Sequence, residues 1–169
     1  LTIKPVLFVA NVDENSAVSG NNYSKKLSDL GLSKGITTVT MSAKLEADIS
    51  EISDILERKE FLNALDIEES GLEKLTKAGY GLLNLITYFT AGPKEVRAWT
   101  IKNGTIAKDA AGKIHNDFSK GFIAAETITY SDYIELGGEQ QARENGSIRT
   151  EGKEYIVVDG DIIVFRFNV

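Results

Sequence analysis

The spacing of apolar residues changes near residue 84, and this change restricts the chain to folds with two differently built parts. Before it, short β-rich runs alternate with stretches in which apolar residues recur every three or four positions, as expected for strands and helices around a parallel sheet. After it, β-rich runs follow one another between Gly, Pro, Asn and Asp. We therefore predict an α/β domain at residues 1–83 and an α+β domain at residues 84–169.

In the first half, the spacing predicts two strands and four helices. The apolar run at 5–11 is typical of a strand buried on both faces of a parallel sheet. Gly31 is a plausible end of the first helix, and Ser70 with Glu73 predicts a capping box at the start of the last. The predicted elements are strands at 5–11 and 35–41, and helices at 21–31, 45–56, 57–65 and 70–84.

In the second half, five β-rich runs predict a small mixed sheet of about five strands with a helix packed on it. The runs are LITYFTA, EVRAWTIK, GFIAAETITY, KEYIVVDG and DIIVFRFNV, and helical patches lie at about 105–114 and 131–144. Between the last two runs, residues 158–161 are predicted to form a tight turn joining paired strands, with Gly160 at positive φ.

Composition excludes several classes of function. The chain has 169 residues and no cysteine, which rules out disulfides and thiolate metal sites, and its single histidine, His115, rules out clustered histidine ligands. A net charge of −6 argues against non-specific nucleic-acid binding, so no DNA partner is expected. No apolar run spans a bilayer, and we expect a cytoplasmic location. Because the chain begins at Leu1 and its single methionine is Met41, we expect further residues upstream.

Polar signals follow both predicted strands of the first half. NVDE, residues 11–14, follows the first strand and SAK, residues 42–44, follows the second. Ligands of nucleotide-binding α/β folds lie at the carboxyl ends of such strands. GTPases carry NKxD and SAK or SAL at these two positions, where the Asp accepts two hydrogens from guanine. The pair of signals therefore predicts a site for a purine base.

The departures from the GTPase pattern favour ATP over GTP. Glu14 replaces the Asp, and its extra methylene moves the carboxylate from the position that guanine requires. Val12 replaces the Lys, and an Asn amide can pair with the N6/N7 edge of adenine. We predict that Asn11 and the backbone at Val12 read adenine, that Glu14 excludes guanine, and that Ser42 and Ala43 line the pocket through backbone N–H groups.

NVDE, SAK and the long segment from LLNLITYFTAGPKEVRAWTIK to SDYIELGG resemble the YchF (Obg-like ATPase) family, over essentially the whole chain. The resemblance implies a base-recognition half of a P-loop NTPase domain at 1–83 and a ubiquitin-like β-grasp TGS domain at 84–169. It also implies a ribosome-associated ATPase that uses ATP and magnesium. The phosphate loop G-x-x-x-x-G-K-[ST] and the magnesium-binding Thr are absent from these residues. We therefore expect no catalytic residue, no metal ligand and no hydrolysis in this chain alone.

Plainer interpretations stay open for each of these features. NVDE could be only a polar strand end, with Asp13 facing solvent, and His115 is expected to have a structural role at a helix end. The acidic residues Glu46, Asp48, Glu51, Asp54 and Glu57 are expected to form a solvated helix face.

A basic group in the second half could contact RNA or the ribosome, or could be ordinary surface lysines around a half-buried Trp99. Its members are Lys94, Arg97, Lys102, Lys108, Lys113 and Lys120. On this basis the alternative function is a nucleotide-switched ribosome or RNA adaptor that acts through the TGS domain.

Overall fold

The computed structural model describes residues 4–92 and 95–168, and the chain divides into two compact units, Leu1–Leu83 and Asn84–Val169. Each unit has its own sheet. The assignment of these units to a base-recognition half and to a TGS domain stays a prediction.

The first unit is built on two parallel strands. Strand β1 (Phe8–Asn11) pairs with β2 (Thr38–Met41), so that Asn11 lies opposite Met41 at the carboxyl end of both strands. The strand predicted at 5–11 is shorter and less buried than expected, because Val6 and Val9 are 50% and 41% exposed. Among the described residues, two strands alone leave both outer edges of this sheet without a strand partner. The helices of this unit are α1 (Asn22–Lys34), α2 (Ala43–Glu51), α3 (Ile55–Ala64) and α4 (Gly71–Leu82).

Gly31 does not end α1, and the prediction that it does is wrong. The helix starts at the Asn21 cap and continues to Gly35, which ends it in the left-handed conformation with φ of 66°. Gly31 is buried instead where α1 crosses β2: a Cβ atom there would collide with Thr38 Oγ1 and would lie 2.6 Å from the Ile36 carbonyl oxygen. Its lack of a side chain lets helix and strand approach closely.

The helical pattern predicted across 45–56 is interrupted. Helix α2 ends before Ile52, whose ψ of 106° is extended, and Asp54 caps α3 by accepting from the backbone N–H groups of Leu56 and Glu57 at 2.8 and 3.0 Å. A side chain that caps a new helix competes with continuation of the old one. The predicted capping box of α4 is confirmed: Ser70 and Glu73 each accept from the other's backbone N–H.

The second unit is a five-stranded mixed sheet with helices. Its strand order is β4-β3-β7-β5-β6, in which β3 and β7 are parallel and the remaining pairs are antiparallel. The strands are β3 (Leu85–Ala91), β4 (Val96–Lys102), β5 (Phe122–Thr129), β6 (Arg149–Glu151) and β7 (Asp161–Phe167). The helices are α5 (Ala107–Ile114), α6 (Asn116–Lys120), α7 (Tyr130–Glu135) and α8 (Glu139–Glu144).

The core of this unit forms between one sheet face and α5. Tyr88, fully buried, donates its hydroxyl hydrogen to the Ala110 carbonyl at 2.8 Å and so ties β3 to the helix. Three alanines of α5 are fully buried, which allows the helix to lie close to the strands. The buried residues of the cluster are Ile86, Tyr88, Ile101, Ala107, Ala110, Ala111, Ala125, Val157, Ile163 and Phe165.

Three predictions for the second unit are wrong. Residues 153–160 form no strand beyond a single bridge between Ile106 and Ile156, because Tyr155 and Val157 bond to the segment that leads into α5. The 158–161 turn therefore does not join two paired strands, although Gly160 does have positive φ, 83°. The helix predicted at 131–144 is two short helices, α7 and α8, separated by Gly137 and Gly138 at positive φ.

Candidate nucleotide-base site

The two loops predicted to read the base are neighbours at the carboxyl end of the short sheet. The backbone N–H of Val12 donates to the Met41 carbonyl at 2.9 Å and continues the ladder one residue beyond β1. This bond brings the NVDE loop beside the SAK loop. Because this bond uses the Val12 N–H, the backbone group of Val12 that can bind a ligand is its carbonyl.

Asn11 joins the loops directly. Its Oδ1 atom accepts from the Ala43 N–H at 3.0 Å, across 32 residues of sequence. Within the described residues the Nδ2 amide of Asn11 donates to no other group, and the side chain is exposed. An amide fixed by its oxygen presents its two N–H donors in one orientation, which suits a ring nitrogen of a purine.

Asp13 shapes the loop between Asn11 and Glu14. It caps a 3₁₀ turn at Glu14–Ser16 by accepting from the Ser16 N–H at 3.1 Å and from the Ser16 hydroxyl at 2.9 Å. Asp13 is exposed, as predicted, and its carboxylate is used within the loop. The turn fixes the backbone that carries the Glu14 side chain.

Glu14 and Lys44 form an ion pair between the two loops. Lys44 Nζ lies 2.9 Å from Glu14 Oε2, and the two side chains are 72% and 43% exposed. The hydrogen bond and the charge of Glu14 raise the pKa of Lys44 above its ordinary value, because both favour the charged ammonium. Lys44 was not among the predicted site residues. The signal was there, since it is the third residue of SAK.

Ser42 is buried and caps α2, with its Oγ atom 3.4 Å from the Leu45 N–H.

The next turn of α2 carries Glu46, which was expected on a solvated face and is only 7% exposed. That expectation is wrong because the Glu46 carboxylate accepts from the N–H groups of Gly71 and Leu72, at 2.6 and 3.1 Å, at the start of α4. A carboxylate at a helix N-terminus satisfies two free donors and the helix dipole.

Among the described residues, the basic side chains predicted to contact RNA do not all lie on one surface. Arg97 and Lys102 are five positions apart on β4 and therefore point to opposite faces of the sheet. Arg97 lies over the Trp99 ring, with Cζ 4.3 Å from the ring centroid, and the Trp99 Nε1–H donates to Thr90 Oγ1 at 2.9 Å. Lys108 and Lys113 are exposed on α5, Lys120 ends α6, and Lys94 lies outside the described residues.

His115 has the helix-terminal position that the sequence predicted. It precedes α6, and its Nδ1 atom accepts from the Asp117 N–H at 3.2 Å. Among residues 4–92 and 95–168, no group of three or more acidic or histidine side chains could hold a metal ion. Over the same residues, no helix is long and apolar enough to cross a membrane.

Comparisons with known proteins identify relatives of this chain. Residues 85–168 match a family model named YchF-GTPase_C, described as a protein of unknown function (DUF933). The chain is 52% identical over 169 residues to "Ribosome-binding ATPase YchF" of Escherichia coli O157:H7 and 50% identical over 171 residues to that of Bacillus subtilis (strain 168). Both alignments cover 100% of this chain and 46% of the relative. The chain thus spans about half the length of the curated relatives it matches.

Two solved structures resemble the fold. The Schizosaccharomyces pombe YchF GTPase matches with a TM-score of 0.83 and 38% identity, over 98% of this chain and 44% of that one. A GTP-binding protein of Pyrococcus horikoshii OT3 matches with a TM-score of 0.64 and 19% identity, over 98% and 46%, which supports the fold alone. The sheets and helices define an α/β protein whose fold matches that of both structures. Within that class, the chain belongs to the YchF family.

Proposed function

We propose that this chain carries the base-recognition half and the TGS domain of a cytoplasmic, ribosome-associated P-loop ATPase that prefers ATP to GTP. The observation that carries the proposal is the pairing of the loops, through the Asn11–Ala43 hydrogen bond and the Glu14–Lys44 ion pair. The names of the relatives support nucleotide hydrolysis and ribosome binding but differ between ATPase and GTPase. The choice of base therefore rests on the loop chemistry.

Adenine is favoured by the groups that the two loops offer to a ligand. These are an amide N–H donor and a carboxylate whose charge is already compensated by an ammonium. Asn11 offers its amide N–H groups to a ring nitrogen, and the Val12 carbonyl can accept from the 6-amino group of adenine. The Ala43 N–H is used by Asn11, so Ala43 contributes to the pocket by its position and small size. The two additional donors of a bound guanine would find no free carboxylate to accept from them, and unpaired polar groups in a built site are costly.

The TGS assignment of residues 84–169 is supported by the sheet order. Numbered within the unit, the strands lie in the order second, first, fifth, third, fourth, with the first and fifth parallel. This is the order of a ubiquitin-like β-grasp. Helix α5 crosses the face of this sheet, as the grasp helix does.

Phosphate and magnesium contacts would come from the phosphate-binding part of the intact protein, as the resemblance to the YchF family implies. We expect the isolated chain to hydrolyse nothing and to bind ATP no more tightly than roughly millimolar, since a few base hydrogen bonds of about 1–3 kcal/mol each are all it contributes. Micromolar binding by calorimetry to the isolated chain would contradict this expectation.

The second candidate function is a ribosome or RNA adaptor acting through the second unit. The observation that favours it is the exposed Arg97 on the ring of Trp99, an arrangement that also serves RNA contacts. The two proposals are separated by two assays. Hydrolysis of ATP and GTP by the full-length protein tests the ATPase, whereas salt-dependent pelleting of residues 84–169 with ribosomes tests the adaptor. An ATPase without pelleting, or pelleting without hydrolysis, decides between them.

A further inference from the structure

We propose that Lys44 is a specificity-determining residue that acts through Glu14: it holds the Glu14 carboxylate in an ion pair and so withholds it from guanine. This proposal deepens the proposed ATP preference and rests on it. It assigns a positioning role to the lysine of SAK, a segment otherwise expected to act through its backbone.

Both ends of the pair are anchored in fixed backbone. Glu14 begins the 3₁₀ turn that Asp13 caps, and Lys44 lies in the first turn of α2, which Ser42 caps. The Asn11–Ala43 hydrogen bond, at 3.0 Å, ties the two loops together. The Glu14 carboxylate therefore reaches Lys44 Nζ, at 2.9 Å, without any change in the loops.

The consequence for base choice follows from donors and acceptors. Guanine presents an N1–H and a 2-amino group, and a free carboxylate can accept from both, whereas adenine lacks these donors. A carboxylate bonded to an ammonium has one oxygen engaged and its charge compensated. It is therefore a weaker acceptor for guanine and no obstacle to adenine.

The test uses the full-length protein and equilibrium binding of non-hydrolysable ATP and GTP analogues by calorimetry. In Lys44→Ala the released carboxylate should bind guanine better, and the ATP-to-GTP affinity ratio should fall about two- to fivefold, the range expected for an exposed ion pair. Lys44→Arg, which keeps a cation, should retain the ratio. Lys44→Ala combined with Glu14→Gln removes the carboxylate charge, so most of the guanine gain should disappear.

Lys77→Ala is the matched control. Lys77 Nζ lies 2.7 Å from Glu69 Oε1 in another ion pair of the same unit, in which the lysine is exposed, and its removal should leave both affinities unchanged. Equal loss of both nucleotides in Lys44→Ala would overturn the proposal, because Lys44 would then act as a general anion contact.

An unchanged ratio in Lys44→Ala, in a wild type that prefers ATP, would overturn the role of Lys44 and leave the proposed function standing. A wild type without ATP preference would overturn both.

Discussion

Replacing Tyr88 by Phe removes one hydrogen bond from the core of the second unit and leaves the ring in place. The Tyr88 hydroxyl donates to the Ala110 carbonyl at 2.8 Å, and the residue has no exposed surface. A buried hydrogen bond of this kind contributes about 0.5–1.5 kcal/mol net. We therefore expect Tyr88→Phe to lower the free energy of unfolding by about 1 kcal/mol.

The assay is urea denaturation followed by the fluorescence of Trp99. This is the single tryptophan of the chain, and its ring centroid lies 6.5 Å from that of Tyr88, so the signal reports the second unit. Tyr130→Phe is the control, because the Tyr130 side chain is 55% exposed. The midpoint should fall in Tyr88→Phe and stay unchanged in the control. Equal effects of the two substitutions would refute the assignment of the hydrogen bond.

The stability of the protein at alkaline pH gives a second test of the role of Tyr88. Burial raises the pKa of Tyr88 well above its ordinary value. A group whose pKa is raised on folding contributes stability that is present below the unfolded-state pKa, about 10, and is lost as pH rises above it. The wild type should therefore lose its advantage over Tyr88→Phe above about pH 10. A difference that stays constant to pH 12 would contradict the burial of an ionisable hydroxyl.

Three further perturbations test other parts of the structure. In the full-length protein, Val12→Lys with Glu14→Asp should shift preference toward GTP in competition binding, and a preference for ATP as strong as before would place selectivity elsewhere. Hydrogen bonds from Arg166 and Arg143 lower the pKa of Glu126 to about 2. Glu126→Gln should therefore destabilise the protein at neutral pH. In acid denaturation, the difference in stability between the variant and the wild type should disappear as pH falls from about 4.5 to about 2. In hydrogen exchange of the 169-residue chain, the amides of Phe8–Asn11 and Thr38–Met41 should exchange faster than those of the strands in the second unit, because a two-stranded sheet is marginally stable. Equal protection of both sheets in a monomer would refute this expectation.

Local signals in the sequence predicted much of this fold. The alternation of strands and helices before residue 84, the capping box at Ser70 and Glu73, and four of the five strands of the second sheet (all but β6) depend on neighbours close in sequence. The predicted convergence of NVDE and SAK follows from a rule about parallel strands, and the Asn11–Ala43 bond joins those two segments.

What sequence patterns could not predict depends on partners far along the chain. Glu46 is buried because Gly71 and Leu72, at least 25 residues away, supply two N–H donors, and its own segment carries no sign of them. Gly31 resembles a helix end, yet its role is set by the approach of β2. The segment 153–160 has the composition of a strand, but its backbone bonds to residues near the start of α5.

The site shows the same division. The motif predicted which two loops lie side by side, whereas the use of the Ala43 N–H by Asn11 and of Glu14 by Lys44 depends on contacts between segments about 30 residues apart. The chemistry of a base site depends on which donors and acceptors remain after the loops have satisfied one another.

The most direct measurement is a competition titration on the full-length protein, in which ATP and GTP each displace a fluorescent adenine nucleotide at equilibrium. The account predicts that ATP displaces the probe at a clearly lower concentration than GTP, and that Asn11→Ala weakens ATP by removing both the amide donor and the tie to Ala43. Displacement by GTP at an equal or lower concentration would contradict the claim that these loops select adenine.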